Sequence, residues 1–232
     1  MNKQSGNALN SQTLFAALAE LTGTFFLTLV ALTVAPSVTP YAVGLTLMVF
    51  VYAIGGLSGS HLNPAVTAGL VASKRFPLIE GTIYIVAQIA GAMLARFAAG
   101  FDMIGTLATQ YKAGSAVAEF IGFGILILTV AATTENKVSK SESGIAVGSA
   151  LLAGLLLSNG ILNPAVAIAM GEAGSPALWA TVISGMAFGL LFLLFERVKP
   201  PRNEGLKSSQ LYLQRNIRFN RKISFSLVGF NS

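Results

Sequence analysis

The chain has 232 residues, 53% of them apolar and only 10% charged, a composition outside the soluble globular range that points to a membrane protein. It contains no cysteine, which excludes a disulfide framework, thiolate catalysis and thiolate metal sites. The net charge of +6 would suggest nucleic acid in a soluble protein, but here the cations follow a topological pattern, and no nucleic-acid partner is expected.

Six apolar windows approach or exceed the roughly 20 residues that a helix needs to cross about 30 Å of hydrocarbon. They run at about 14–35, 41–57, 78–99, 115–134, 143–158 and 176–195. The first is long for a leader and is preceded by the single Lys3, so it reads as a retained span. Six spans put both termini on one side. That side then carries Lys3, Lys74, Arg75, Lys137, Lys140 and every Lys and Arg from Arg197 onward, against Arg96 and Lys112 on the other. The positive-inside rule makes the termini cytoplasmic, in a plasma or inner membrane. Residues 1–13 form a short N-terminal cytoplasmic segment, 14–197 the membrane domain, and 198–232 a basic tail whose composition predicts disorder.

The membrane domain repeats itself. "AELTGTFFLTLV" from Ala19 matches "AEFIGFGILILTV" from Ala118, "AVG" at Ala42 recurs at Ala146, and Asn63 recurs as Asn163. Each half, about 14–100 and 115–197, holds three spans and one broken segment. Three is odd, so the second copy enters from the opposite face, and the result is an inverted 3+3 repeat. Ala42 to Asn63 is 21 positions and Ala146 to Asn163 is 17, which predicts a fifth span and following loop shortened by four residues on the extracellular side.

The broken segments are "SGSHLNPAVTAG" and "SNGILNPAVAIA". Asn is a strong N-cap, Pro suits the first helical position, and Ala continues the turn, so each Asn-Pro-Ala starts a helix. About ten helix-compatible residues follow, enough for half the hydrocarbon thickness. Non-helical backbone at that depth must be enclosed by protein or line a watery cavity, so both loops are re-entrant and the two helix starts meet near the centre. Each Asn side chain is expected to accept a backbone N–H and to turn its amide NH₂ toward the lumen. Two positive helix ends converging there repel cations, protons included.

Paired Asn-Pro-Ala boxes in an inverted repeat identify the chain as resembling the major intrinsic protein family, the aquaporins and aquaglyceroporins, from Leu14 to Phe195. The resemblance implies an all-α membrane protein of six transmembrane helices and two re-entrant half-helices, working as a passive channel for water or small uncharged solutes such as glycerol, urea or ammonia. It implies no enzyme activity and no cofactor or metal, and a homotetramer with one pore per monomer. By the same resemblance Asn63, Pro64, Ala65, Asn163, Pro164 and Ala165 form the central constriction. His61 either lines the pore or supports the loop, and Glu20 and Glu119 brace the re-entrant loops. Gly91, Gly185 and Gly189 read as close-packing positions.

One departure stands out. Family members usually place Arg directly after the second box, and here that position is Val166. The remaining outer-mouth positions map to Val43, Gly160 and Leu155 or its neighbour Gly154. Without a guanidinium the mouth is expected either to widen and admit larger neutral solutes or to form a narrow apolar ring that dewets, and small Val43 and Gly160 favour the first. Two alternatives remain at this stage. A secondary transporter can also be built on an inverted repeat but needs ionisable groups, of which Glu20, Glu119 and His61 are the few at depth. A poorly conducting structural homologue is the other.

Overall fold

The computed structural model describes residues 10–100 and 115–197. Residues 1–9, the link 101–114 and the segment 198–232 lie outside the described residues, and with them Lys3, Lys112 and the predicted tail. Among the described residues every regular element is a helix: α1 Ser11–Thr33, α2 Thr39–Ser58, α3 Pro64–Ala72, α4 Leu78–Ala99, α5 Ala116–Thr134, α6 Lys140–Ser158, α7 Pro164–Met170 and α8 Pro176–Arg197. Six of them, all but α3 and α7, are long and apolar enough to cross a membrane. The unit considered below is Met1–Leu194; a second unit, Phe195–Ser232, is described only where α8 ends.

The helix boundaries follow from local chemistry. Asn10 caps α1 by accepting the Thr13 N–H at 2.7 Å. The re-entrant helices begin at Pro64 and Pro164, each capped by the preceding Asn. Spans α2 and α6 stop at residues in left-handed conformation, Gly59 at φ 88° and Asn159 at φ 48°. The polar start of α6, Lys140 to Glu142, lies outside the apolar window but continues the same helix.

Burial is inverted relative to a soluble protein. Phe97 is 74% exposed and Val86 63%, while Glu20, Thr24, Gln88 and Ser184 are wholly buried. Large apolar side chains face the lipid, and the interior is held by small residues and polar bonds. A Cβ at Gly122 would stand 2.7 Å from the Gly154 carbonyl oxygen, bringing α5 and α6 into backbone contact. Gly91 sits as tightly against the Leu21 carbonyl of α1, and Gly189 against that of Gly69.

The half-helices are exchanged between the repeat halves. From the second half, α7 packs on α1 and α4 of the first. From the first half, α3 packs on α5, and a Cβ at Gly69 would lie 2.6 Å from the Gly185 oxygen of α8. Each half therefore wedges its broken segment into the other, and the two short helices meet.

The expected four-residue shortening is not there. Helices α2 and α6 have 20 and 19 residues, and Ser58 to Asn63 matches Ser158 to Asn163 in length. The two "AVG" triplets are not symmetry equivalents; their glycines face each other, a Cβ at Gly148 falling 2.7 Å from the Gly44 oxygen where α2 and α6 cross. A contact pair had the look of a repeat because both helices need a small residue at the crossing.

These contacts predict that Gly185→Val, which drives a side chain into the Ala65 carbonyl 2.5 Å away, destabilises the protein by about 1–3 kcal/mol. Gly56→Ala, which meets nothing within 4 Å, should leave the thermal unfolding midpoint in detergent unchanged or slightly raised.

Candidate functional site

Where α3 and α7 meet, the backbone leaves the helical pattern. The loop residues Ser60 and Leu62 have φ of 53° and 47°, and Leu162 has 53°, so both residues before the asparagines are left-handed. A leucine there is strained by about 1–3 kcal/mol and persists only if its surroundings fix it. They do. The Glu20 carboxylate, from α1, accepts the N–H of His61 at 3.0 Å and of Leu62 at 2.6 Å. Ser58 Oγ and Gln88 Nε2 donate to the same carboxylate at 2.7 and 2.8 Å. In the second half Glu119 of α5 accepts the N–H of Ile161 at 2.6 Å and of Leu162 at 3.0 Å, and the Thr181 hydroxyl at 3.2 Å. Both carboxylates are buried and committed to loop donors.

The asparagines join the two halves. Asn63 Oδ1 accepts the Ala65 N–H at 2.9 Å and Asn163 Oδ1 accepts that of Ala165 at 3.0 Å, as an N-cap should. Their amides cross over: Asn63 Nδ2 donates to the Leu162 oxygen at 2.8 Å, and Asn163 Nδ2 donates to the Leu62 oxygen at 2.9 Å. The expectation that both N–H groups of each amide face the lumen is corrected here. One proton per amide is spent on the opposite loop, because the left-handed leucines present carbonyls that need a donor, and the second meets no acceptor among the described residues.

On one side of this junction lies a cavity of about 20 Å³, lined by Val43, Leu155, Gly160, Val166 and Asn163 among others. All four residues assigned to the outer mouth thus converge on one space. Leu155 rather than Gly154 supplies the fifth-span side chain, because Gly154 is turned against Gly122 of α5. The expected widening is corrected. Leu27, Leu151, Ile161 and Met170 also close in, and the room left by Gly160 is already filled by the Glu119 carboxylate, which a Cβ at 160 would overlap. About 20 Å³ holds roughly one water. Thr39, the other polar side chain of the wall, turns its hydroxyl back to the carbonyls of Ala35 and Val34 in the link between α1 and α2.

On the other side a wider cavity of about 470 Å³ reaches His61, lined by Ser60, Thr133, Thr134, Asn136, Lys140 and Ser143. His61 serves both readings: it lines this vestibule, while its Nδ1 pairs with Thr67 Oγ1 at 3.1 Å and its ring packs against Phe76 and Tyr84. Thr67 also donates to the Asn63 carbonyl and accepts from Gln88, tying the histidine to the junction. Sequence reasoning missed Leu62, Leu162, Gln88 and Thr67. The leucines were visible only as the shared residue before each Asn in "HLNPAV" and "ILNPAV".

The sequence profile of the family described as Major intrinsic protein matches residues 7–173. Nodulin-26 of Glycine max is 31% identical over 184 residues, covering 72% of this chain and 68% of its own. Aquaporin Z of Rhodopseudomonas palustris is 32% identical over 227 residues, covering 82% of this chain and 95% of its own. An X-ray structure of the aquaglyceroporin from Plasmodium falciparum superposes with a TM-score of 0.59 at 20% identity, over 79% of this chain and 95% of that one, a likeness of fold.

Removing a brace tests the loop architecture. Glu119→Ala strands two buried backbone donors at about 1–3 kcal/mol each. It should lower the denaturation midpoint in detergent well beyond Thr181→Val, which removes one weaker partner at 3.2 Å.

Proposed function

The chain belongs to the major intrinsic protein family, whose members are membrane channels and not enzymes, and we propose that it is a passive pore for small uncharged solutes running past Asn63 and Asn163. The observation that carries this reading is the reciprocal amide-to-carbonyl junction of two opposed half-helices, flanked by a cavity on either side. Single N–H donors at the junction suit a molecule with an accepting atom. The positive ends of α3 and α7, roughly half an elementary charge each, disfavour a cation at the same place. A gradient-coupled transporter is the weaker reading, since Glu20 and Glu119 are bound to loop N–H groups rather than held ready for proton exchange.

The outer ring sets the solute class. A space for about one water, walled by Val43, Leu155, Ile161 and Val166, gives a passing molecule almost no replacement for its lost hydrogen bonds. Solutes that are small and weakly hydrated, with ammonia the best of the set considered, pass more readily than water files, urea or glycerol. The wide inner vestibule lies at the end shared by Arg75 and Lys137, both stacked on Phe192. The positive-inside rule assigns that end, and with it both termini, to the cytoplasm. We extend the reading to a homotetramer, each subunit with its own pore.

Two experiments test these roles in proteoliposomes. Leu155→Ala should open the ring and raise urea and glycerol flux several-fold by stopped-flow light scattering; no gain would remove Leu155 from the constriction. Asn163→Asp, which places an anionic side chain between the helix ends, should admit cations that the unaltered protein excludes, and an unchanged cation leak would count against the dipole account.

A further inference from the structure

The outer ring carries no charged side chain, yet a charge stands close behind it. Arg96 lies in the last turn of α4, a helix that starts just after Lys74 and Arg75, so it is at the opposite end of the molecule from those residues. Its Nη1 donates to the Ala169 carbonyl oxygen at 2.6 Å, at the C-terminal end of α7. A Cβ on Gly171 would come within 3.9 Å of the same nitrogen. The two half-helices differ here. The longer α3 closes on its own chain, the Gly69 carbonyl taking the Ser73 N–H and hydroxyl and that of Leu70 taking the N–H groups of Arg75 and Phe76. In α7 the carbonyls of Ala167 and Ile168 are taken by Glu172 and Gly171, and that of Ala169 by α4's arginine.

We propose that Arg96 is a specificity-determining residue that supplies the outer mouth with its fixed positive charge from behind α7; the inference rests on the channel reading above. The partner is a carbonyl at the negative end of α7, so the bond fixes the guanidinium and offsets its charge only in part. Val166 and Met170 of the same short helix face the outer cavity, so the charge stands about one helix diameter, roughly 10 Å, from the lumen. That distance is about the Debye length at 0.1 M salt, and protein rather than electrolyte fills it. At an effective dielectric of about 20, a unit charge at about 10 Å lowers the local cation concentration roughly tenfold. Arg96 thus takes over, from outside the lumen, the barrier that Val166 lacks.

The test uses the full chain in liposomes loaded with a pH-sensitive dye, with proton entry driven by a potassium diffusion potential and ammonia flux measured on the same vesicles. Arg96→Gln loses the charge and should raise proton leak roughly tenfold with ammonia flux within twofold; Arg96→Lys, which keeps the charge, should stay tight. Because the chain has no cysteine, Arg96→Cys offers a second route: a cationic aminoethyl thiol adduct should restore tightness and a neutral methyl adduct should not. Equal leak in the unaltered protein and Arg96→Gln, or equal restoration by both adducts, overturns the role of the charge while leaving the channel reading intact. Absence of ammonia flux from the unaltered protein overturns the channel reading and this inference together.

Discussion

Backbone that leaves the helix in the middle of a bilayer has no water to bond, so each N–H and C=O of the two connecting loops must find a protein partner or cost several kcal/mol. Most of this architecture follows from that requirement. Glu20 and Glu119 are buried carboxylates, costly anywhere in a membrane, and each accepts consecutive loop N–H groups that nothing else could satisfy. The loop carbonyls of Leu62 and Leu162 are met by the amide of the asparagine from the other half. Each half braces the N–H groups of its own loop but leaves that loop's leucine carbonyl to the other half, so the loops are fully bonded only when both are inserted.

Close approach makes the exchange possible. Asn63 and Asn163 can reach across because Pro and Ala at the helix starts are small and because glycines let the half-helices sink between the spans, Gly185 against the Ala65 carbonyl being the tightest backbone approach to α3. The outer wall is shaped by the same economy. Glu119 occupies the volume that a side chain at 160 would need, so the glycine there reflects the brace and not a wider passage. The consequence is a pair of unequal cavities, one of about 470 Å³ with several polar side chains in its wall and one of about 20 Å³ that is almost wholly apolar.

An apolar ring changes how cation exclusion and solute choice are divided. In the channel proposed above, where a lumen-facing guanidinium would do both, Val166 does neither, and the solute would be chosen by size and hydration cost. On that proposal exclusion falls on fields that reach the lumen from outside it: the half-helix ends and the Arg96 guanidinium, held at the end of α7 by the Ala169 carbonyl. Charge and constriction come from different elements.

Composition, apolar windows and the doubled Asn-Pro-Ala were enough to determine six spans, two half-helices and their opposed orientation, because span length and helix capping are local properties. The convergence of Val43, Leu155, Gly160 and Val166 followed from the repeat and the family resemblance. What only the tertiary structure decided were the questions of facing and volume. Leu155 and Gly154 are adjacent in sequence and point to different neighbours, and which of them meets the pore depends on how α6 rotates against α5. The matching triplets at Ala42 and Ala146 look like a repeat but are opposite sides of one crossing. The cross-bonds to Leu62 and Leu162 use main-chain oxygens, which leave no mark on residue type, and the reach of Arg96 to Ala169 spans 73 positions of sequence. Long-range contacts to backbone atoms carry no local signature, and in this chain they decide which groups meet at the junction of the half-helices and how much room is left beside it.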